Sequence, residues 1–155
     1  MPNLGDLLKP EAIIFQAIGD DRRDIMRQMT EVASNAFGVD AGLTLEAVMT
    51  REALGGTGVG EGVAVPHARI SGIERTHGVF ALLKTPVDFE SPDGKPADLV
   101  FMLLSPEESG ANHLKALAKI TRLLRQSHVR SALRAARSQS ALHALLLDVE
   151  TSQVA

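Results

Sequence analysis

Cysteine, tryptophan and tyrosine are all missing from this 155-residue sequence, and phenylalanine occurs only five times. Without cysteine there is no disulfide, no thiolate nucleophile and no Cys-based zinc site. Without tyrosine and tryptophan, little remains from which to build stacking platforms for bases or sugars. Long apolar runs are scarce as well. The clearest, Leu99 to Leu104, falls far short of the roughly 20 residues that a membrane-spanning helix needs, so no membrane insertion is expected. The N-terminal Met-Pro-Asn-Leu-Gly-Asp has no basic stretch leading into an apolar core, so no secretory signal is visible and the cytoplasm is the expected location. A net charge of −3 argues against a general nucleic-acid binder, which would carry excess positive charge. The charge is uneven: from Glu107 onward seven Lys and Arg face four Asp and Glu, which reads first as a solvated helical face.

What is present fits a single globular domain. Apolar residues make up 45% and charged residues 23% of the chain, and the length suffices for a proper core. Ile13 to Phe15 reads as a short strand. Asp20 or Asp21 can cap a helix whose apolar positions are Ile25, Met29, Val32, Ala33 and Ala36, stopped by Gly38. A second helix is expected from Thr44 to Leu54, with Leu45, Val48 and Leu54 its apolar positions and Gly55 as its stop. Val63 to Val65 reads as a short strand. Val79 to Leu83 and Leu99 to Leu104 read as strands covered on both faces, with Pro86 to Pro96 an excursion between them. Ser105-Pro106-Glu107-Glu108 has the form of a capping box, while Gly110 moves the expected helix start towards Asn112. Leu114, Leu117, Ala118, Thr121 and Leu124 give that helix a core face, and Ser127 and Ser138 are candidate caps for two more. The pattern predicts one α/β layered domain over residues 1–150, with residues 151–155 a frayed tail.

The stretch from Thr50 to Ile70 carries the chemistry. A helical segment ends in a loop with five glycines between Gly55 and Gly62, a backbone able to approach a ligand closely. A short apolar strand follows, and Pro66 then delivers His67, with Arg69 two residues on. Imidazole is the side chain suited to act as a neutral nucleophile near pH 7. The loop is not a Walker A motif, because no lysine follows its glycines. Nor is it a dinucleotide fingerprint, since it follows a helix and its glycine spacing is wrong. A metal site of two histidines and a carboxylate has only His113, 46 residues away, to support it, so neither metal nor cofactor is expected.

These residues resemble a known family. Arg51-Glu52-Ala53-Leu54-Gly55, Thr57-Gly58-Val59-Gly60 and Ala64-Val65-Pro66-His67 are similar to enzyme IIA of the fructose/mannitol type in the bacterial phosphotransferase system. The likeness is greatest to its stand-alone nitrogen-regulatory branch, EIIA-Ntr or PtsN-like. It continues through Thr85 to Phe89, Asp98 to Leu104 and His113-Leu114. Intervals of 16 residues from Arg51 to His67 and 46 from His67 to His113 fit the family pattern. One departure is Ala68-Arg69, where many members have glycine and lysine.

The resemblance implies a mixed sheet flanked by helices on both faces and a phosphoryl carrier. His67 would be the phosphorylated nucleophile, Arg51 would stabilise phosphoryl charge, and His113 would orient or stabilise the group. Arg69, Glu61, Gly58, Gly60 and Asn112 would contribute phosphate or interface contacts. Implied partners are an HPr-like (NPr) donor protein and regulatory targets such as transporters or sensor kinases. Two other functions remain open at this point: a separate-chain enzyme IIA passing phosphate to a IIB domain for sugar uptake, and a non-catalytic binding module. Individual residues keep plainer readings too, since Arg51 can complement a helix dipole and His113 can be a cap or a core residue.

Overall fold

A computed structural model describes the backbone of residues 3–154 and the side chains of residues 3–150. The chain runs α1 (Leu4–Leu7), a 3₁₀ turn (Pro10–Ala12), β1 (Ile13–Ala17), α2 (Arg22–Phe37), α3 (Ala41–Leu54), β2 (Gly58–Gly60), β3 (Val63–Ala64), β4 (His67–Ile70), β5 (His77–Val87), β6 (Ala97–Pro106), α4 (Ala111–Leu124), α5 (Ser127–Ala135) and α6 (Gln139–Val154). The sheet has the order β1-β5-β6-β3-β2, with β4 also paired to β6. It is mixed: β1 lies parallel to β5, β5 antiparallel to β6, and β3 and β4 both parallel to β6.

Alternation along the two long strands sorts the core into two layers. Val79, Ala81, Leu83, Val100, Met102 and Leu104 pack towards Ile25, Met26, Met29 and Ala33 of α2 and Val48 of α3. Phe80, Leu82, Leu99, Phe101 and Leu103 face Ile120, Leu123, Leu133, Leu142 and Leu146 on the C-terminal helices. Both faces of the sheet are thus covered, which is why these strands read as unbroken apolar runs. The expected α/β layered domain is the observed one.

Local signals place the helices with some shifts. Asp21, not Asp20, caps α2 by accepting from Asp24 N at 2.8 Å, and Gly38 closes it in the left-handed region at φ 77°. The second helix starts at Ala41, three residues before Thr44, because Asp40 accepts from Leu43 N at 2.9 Å. Ser138 takes its expected place, accepting from Ala141 N at 3.0 Å. Ser127 is instead the first residue of α5, and Gln126 holds the cap position without a side-chain bond.

Two expectations are overturned, the capping box and part of the core face of α4. Ser105 belongs to β6 and is fully buried, so the capping box does not form and α4 begins after Gly110 with no side-chain cap. Leu114 and Ala118, expected on the core face of α4, are exposed, Leu114 at 63%, and the apolar Leu54 is 82% exposed. Leu54 is the last residue of α3, beyond its packed stripe, and the buried face of α4 is set by His113, Ala116, Ile120, Leu123 and Leu124. The backbone of residues 151–154 continues α6, and Ala155 of the expected tail lies outside the described residues.

Candidate functional site

The sheet itself sets His67 in place. Val63 pairs with Leu99, Ala64 with Val100 and His67 with Leu103, a constant offset, so β3 and β4 are one line of strand beside β6, interrupted at Val65-Pro66. Proline has no N–H to give to a ladder, yet its carbonyl still accepts from Leu103 N at 3.0 Å, so register survives the interruption. Val65 N turns instead to Thr57 O at 3.0 Å. His67 is therefore the first residue of β4. Val63 and Val65 belong to the α4-side core, and alternation puts the His67 ring on that same side.

There it meets His113, the third residue of α4, with ring centroids 5.4 Å apart and planes tilted by 54°. His67 is half-buried and His113 only 4% exposed. His67 Nδ1 lies 2.8 Å from Val65 O. A carbonyl only accepts, so Nδ1 carries the proton and donates, which leaves the lone pair of the neutral ring on Nε2. His113 Nδ1 lies 2.6 Å from Ser105 Oγ, and Ser105 Oγ lies 3.2 Å from Thr76 Oγ1.

Both imidazoles are held neutral. Burial is the main cause lowering the His67 pKa; the bond to Val65 O opposes it, the Arg51 charge lowers it further, Glu52 raises it and Arg69 lowers it again. Burial, then His67 and Arg69, bring His113 down to about 4. Two guanidiniums act on the rings, and among the described residues neither is paired with a carboxylate. Arg51, in the last turn of α3, donates to Gly55 O at 2.9 Å. Arg69 donates to Ser109 Oγ at 3.4 Å and Gly110 O at 3.2 Å, tying β4 to the loop that starts α4.

The remaining sequence candidates lie elsewhere or are otherwise engaged. Glu61 sits at the tip of the β2–β3 hairpin with φ 57°, between Gly60 and Gly62 at φ 98° and 78°, so these glycines serve a left-handed turn. Glu61 N donates to Asp93 Oδ2 at 2.9 Å, and Glu61 O accepts from Arg134 Nη2 at 2.8 Å. Glu61 and Gly60 share a small recess with Thr121, Leu124 and Arg125, near the far end of α4 and about 12–16 Å along the helix from His113. Gly58 is required by the packing of the chain itself: a Cβ there would stand 2.1 Å from Ser91 Oγ. Asn112 is exposed and its N–H is engaged by Ser109 O at 3.1 Å. Among the described residues no three His, Asp or Glu converge as metal ligands.

Sequence reasoning missed three residues around the site. Glu52 is 2% exposed; it accepts from Thr57 N at 3.1 Å, Thr57 Oγ1 at 2.5 Å and Arg22 Nη1 at 3.2 Å. It thereby pins the glycine loop to the helix that carries Arg51. A signal existed, since Glu52 continues the buried i, i+4 stripe of Thr44 and Val48. Ser105 and Thr76, behind His113, gave no such signal.

Known proteins match this chain over most of its length. A nitrogen regulatory protein of Bradyrhizobium diazoefficiens is 43% identical over 141 residues, 91% of this chain and 92% of the relative. One from Pseudomonas aeruginosa is 36% identical and covers 99% of this chain and 100% of its own length. The crystal structure of nitrogen regulatory protein IIA-Ntr from Neisseria meningitidis superposes with a TM-score of 0.85 at 31% identity, covering 92% of this chain and 97% of that one. Residues 6–149 match the model of the phosphoenolpyruvate-dependent sugar phosphotransferase system, EIIA 2, and the chain belongs to that family.

Proposed function

We propose that the protein is a phosphoryl carrier of the nitrogen-regulatory phosphotransferase system, receiving its phosphoryl group on Nε2 of His67. The donor is a phosphohistidine of an HPr-like (NPr) protein. In the transfer, the donor's N–P bond breaks and the pair returns to the donor ring, while the Nε2 lone pair of His67 forms the new P–N bond. No proton need move. The reaction exchanges one P–N bond for another, which suits a reversible carrier, and asks the protein for alignment and charge stabilisation more than for covalent help.

The observation that carries this reading is the commitment of His67 Nδ1 to Val65 O, which leaves a neutral nucleophilic Nε2 at a ring whose proton affinity feels Arg51 and Arg69. A phosphorylated side chain carries roughly −1.5 to −2 charge at neutral pH, and guanidiniums held by backbone and hydroxyl oxygens keep their charge free to answer it. Arg51 and Arg69 supply that charge, and His113 closes the other side. The relatives named nitrogen regulatory protein support a regulatory branch, in which transporters or sensor kinases read the phosphorylated and unphosphorylated states.

Incubation with phosphoenolpyruvate, the general phosphotransferase enzyme and an HPr-like donor tests the assignment. Wild-type protein should take up one acid-labile, alkali-stable phosphoryl group, and His67→Ala should take up none. Persistent labelling of the variant would reject His67 as the acceptor.

A further inference from the structure

Ser105 is the one hydroxyl at the end of an otherwise apolar run. Leu99 to Leu104 line the middle of the sheet, and Ser105 follows them with no measurable exposure. A hydroxyl so buried is costly unless bonded, and its two partners, His113 Nδ1 and Thr76 Oγ1, are buried as well, at 4% and 7% exposure. Alternation explains how they meet: Ser105 continues the β6 face of Leu99, Phe101 and Leu103, and Thr76, the residue just before β5, stays in step with Phe80, both on the α4 side.

The direction of this chain of hydrogen bonds follows from its donors. A neutral imidazole has one N–H and one bare nitrogen. If His113 Nδ1 donated to Ser105, the Ser105 proton would pass to Thr76, and the Thr76 proton would have no acceptor among the described residues. In the opposite sense Thr76 donates to Ser105 Oγ and Ser105 donates to His113 Nδ1, and both hydroxyl protons are matched. Buried donors left unmatched are disfavoured.

We propose that Ser105, backed by Thr76, is a positioning residue that fixes His113 as the Nε2–H tautomer and so gives the phosphoryl group on His67 a neutral hydrogen-bond donor. The proposal rests on reading His67 as the phosphoryl acceptor. It also accounts for a division of labour between the rings: His67, with its proton on Nδ1, presents a lone pair, and His113, with its proton on Nε2, presents a donor. The low proton affinity of His113 makes the relay necessary, because a doubly protonated ring would donate from both nitrogens without help.

The tautomer is readable without any phosphoryl donor, from the ring nitrogen shifts of His113 in 15N-histidine-labelled, unphosphorylated protein. Wild type should show the proton on Nε2. Ser105→Ala should move population to the Nδ1–H form, and it should slow phosphorylation of His67 about tenfold at unchanged KM for the donor protein, the loss of one aligned hydrogen bond. Thr76→Val keeps the shape of the second residue and should give a weaker effect of the same sign, which keeps the test available if Ser105→Ala fails to fold. Ser105→Thr should restore both tautomer and rate. A protein labelled on His67 whose His113 carries its proton on Nδ1 overturns the relay alone, as do Ser105→Ala and Thr76→Val with wild-type shifts and rates. A protein that shows the Nε2–H tautomer yet takes up no phosphoryl group overturns the carrier reading, and with it the use of the relay in transfer.

Discussion

The two ends of α4 hold similar residues to opposite effect. At its start, Arg51 and Arg69 are bound by Gly55 O, Gly110 O and Ser109 Oγ, all neutral acceptors, beside two imidazoles kept uncharged. Beyond its end, Arg134 makes three hydrogen bonds to Asp98, and Arg130 donates to Leu124 O and Arg125 O and faces Glu61 at 3.9 Å. The first arrangement leaves positive charge for an incoming anion. The second consumes it in holding the β2–β3 hairpin to the C-terminal helices. Guanidinium count alone therefore does not locate a phosphate site; what each guanidinium is already bonded to does.

The sharpest way to break this contrast is to remove one cation from each end. Arg51→Ala should slow phosphoryl transfer by about 10²–10³-fold, the cost of losing one aligned charge-stabilising donor, with an unchanged urea midpoint. Arg134→Ala should leave the transfer rate within about twofold of wild type, because its charge is already neutralised. Equal losses in both variants would erase the distinction between the two ends.

Carboxylates give the next comparison. Glu52→Ala strands Thr57 N and the Thr57 hydroxyl around a buried gap and leaves Arg22 with Glu90 alone, and should cost about 2–4 kcal/mol in urea unfolding. Asp98 is partly exposed, and Asp98→Ala should cost only about 0.5–1 kcal/mol. A Glu52 variant as stable as the Asp98 variant would mean that the loop is not held by that carboxylate.

A smaller effect should appear in the pH dependence of stability. Folded His113 stays neutral down to about pH 4, whereas the unfolded chain protonates its histidines near 6.5. The unfolded state therefore binds more protons in between, and stability should fall as pH drops from about 6.5 towards 4. His67 adds to this with the same sign. Thermal melts across that window should show the decline, and His113→Asn should flatten it. An equally steep decline in that variant would place the cause in other groups.

Much of this was legible before any coordinates. Apolar runs marked β5 and β6 because both faces of the sheet are covered, and Asp and Gly marked the ends of α2 because caps act through neighbouring backbone. The resemblance to enzyme IIA implied that Arg51, His67 and His113 lie together, and the fold brings the two rings together. Other residues misled because their roles are set by distant partners. Ser105, followed by Pro106 and two glutamates, has the local form of a cap, yet sheet pairing carries β6 through it and hands its hydroxyl to His113. Leu114 fits a helical stripe, but α4 turns its neighbour His113 inward and leaves Leu114 in solvent. The glycines of the Gly55–Gly62 loop read as a backbone open to a ligand, and the fold gives them a second use: Gly58 lies against Ser91, and Gly60 and Gly62 make a turn. Close backbone packing and ligand approach demand the same residue, and sequence alone does not separate them.

The central claim is that phosphorus comes to rest on one particular nitrogen, and coupling between 31P and the ring 15N nuclei of the phosphorylated protein reads that nitrogen directly. The coupling should fall on Nε2 of His67, with Nδ1 still protonated and bonded to Val65 O. Phosphorus coupled to Nδ1 of His67, or to either nitrogen of His113, would contradict the account.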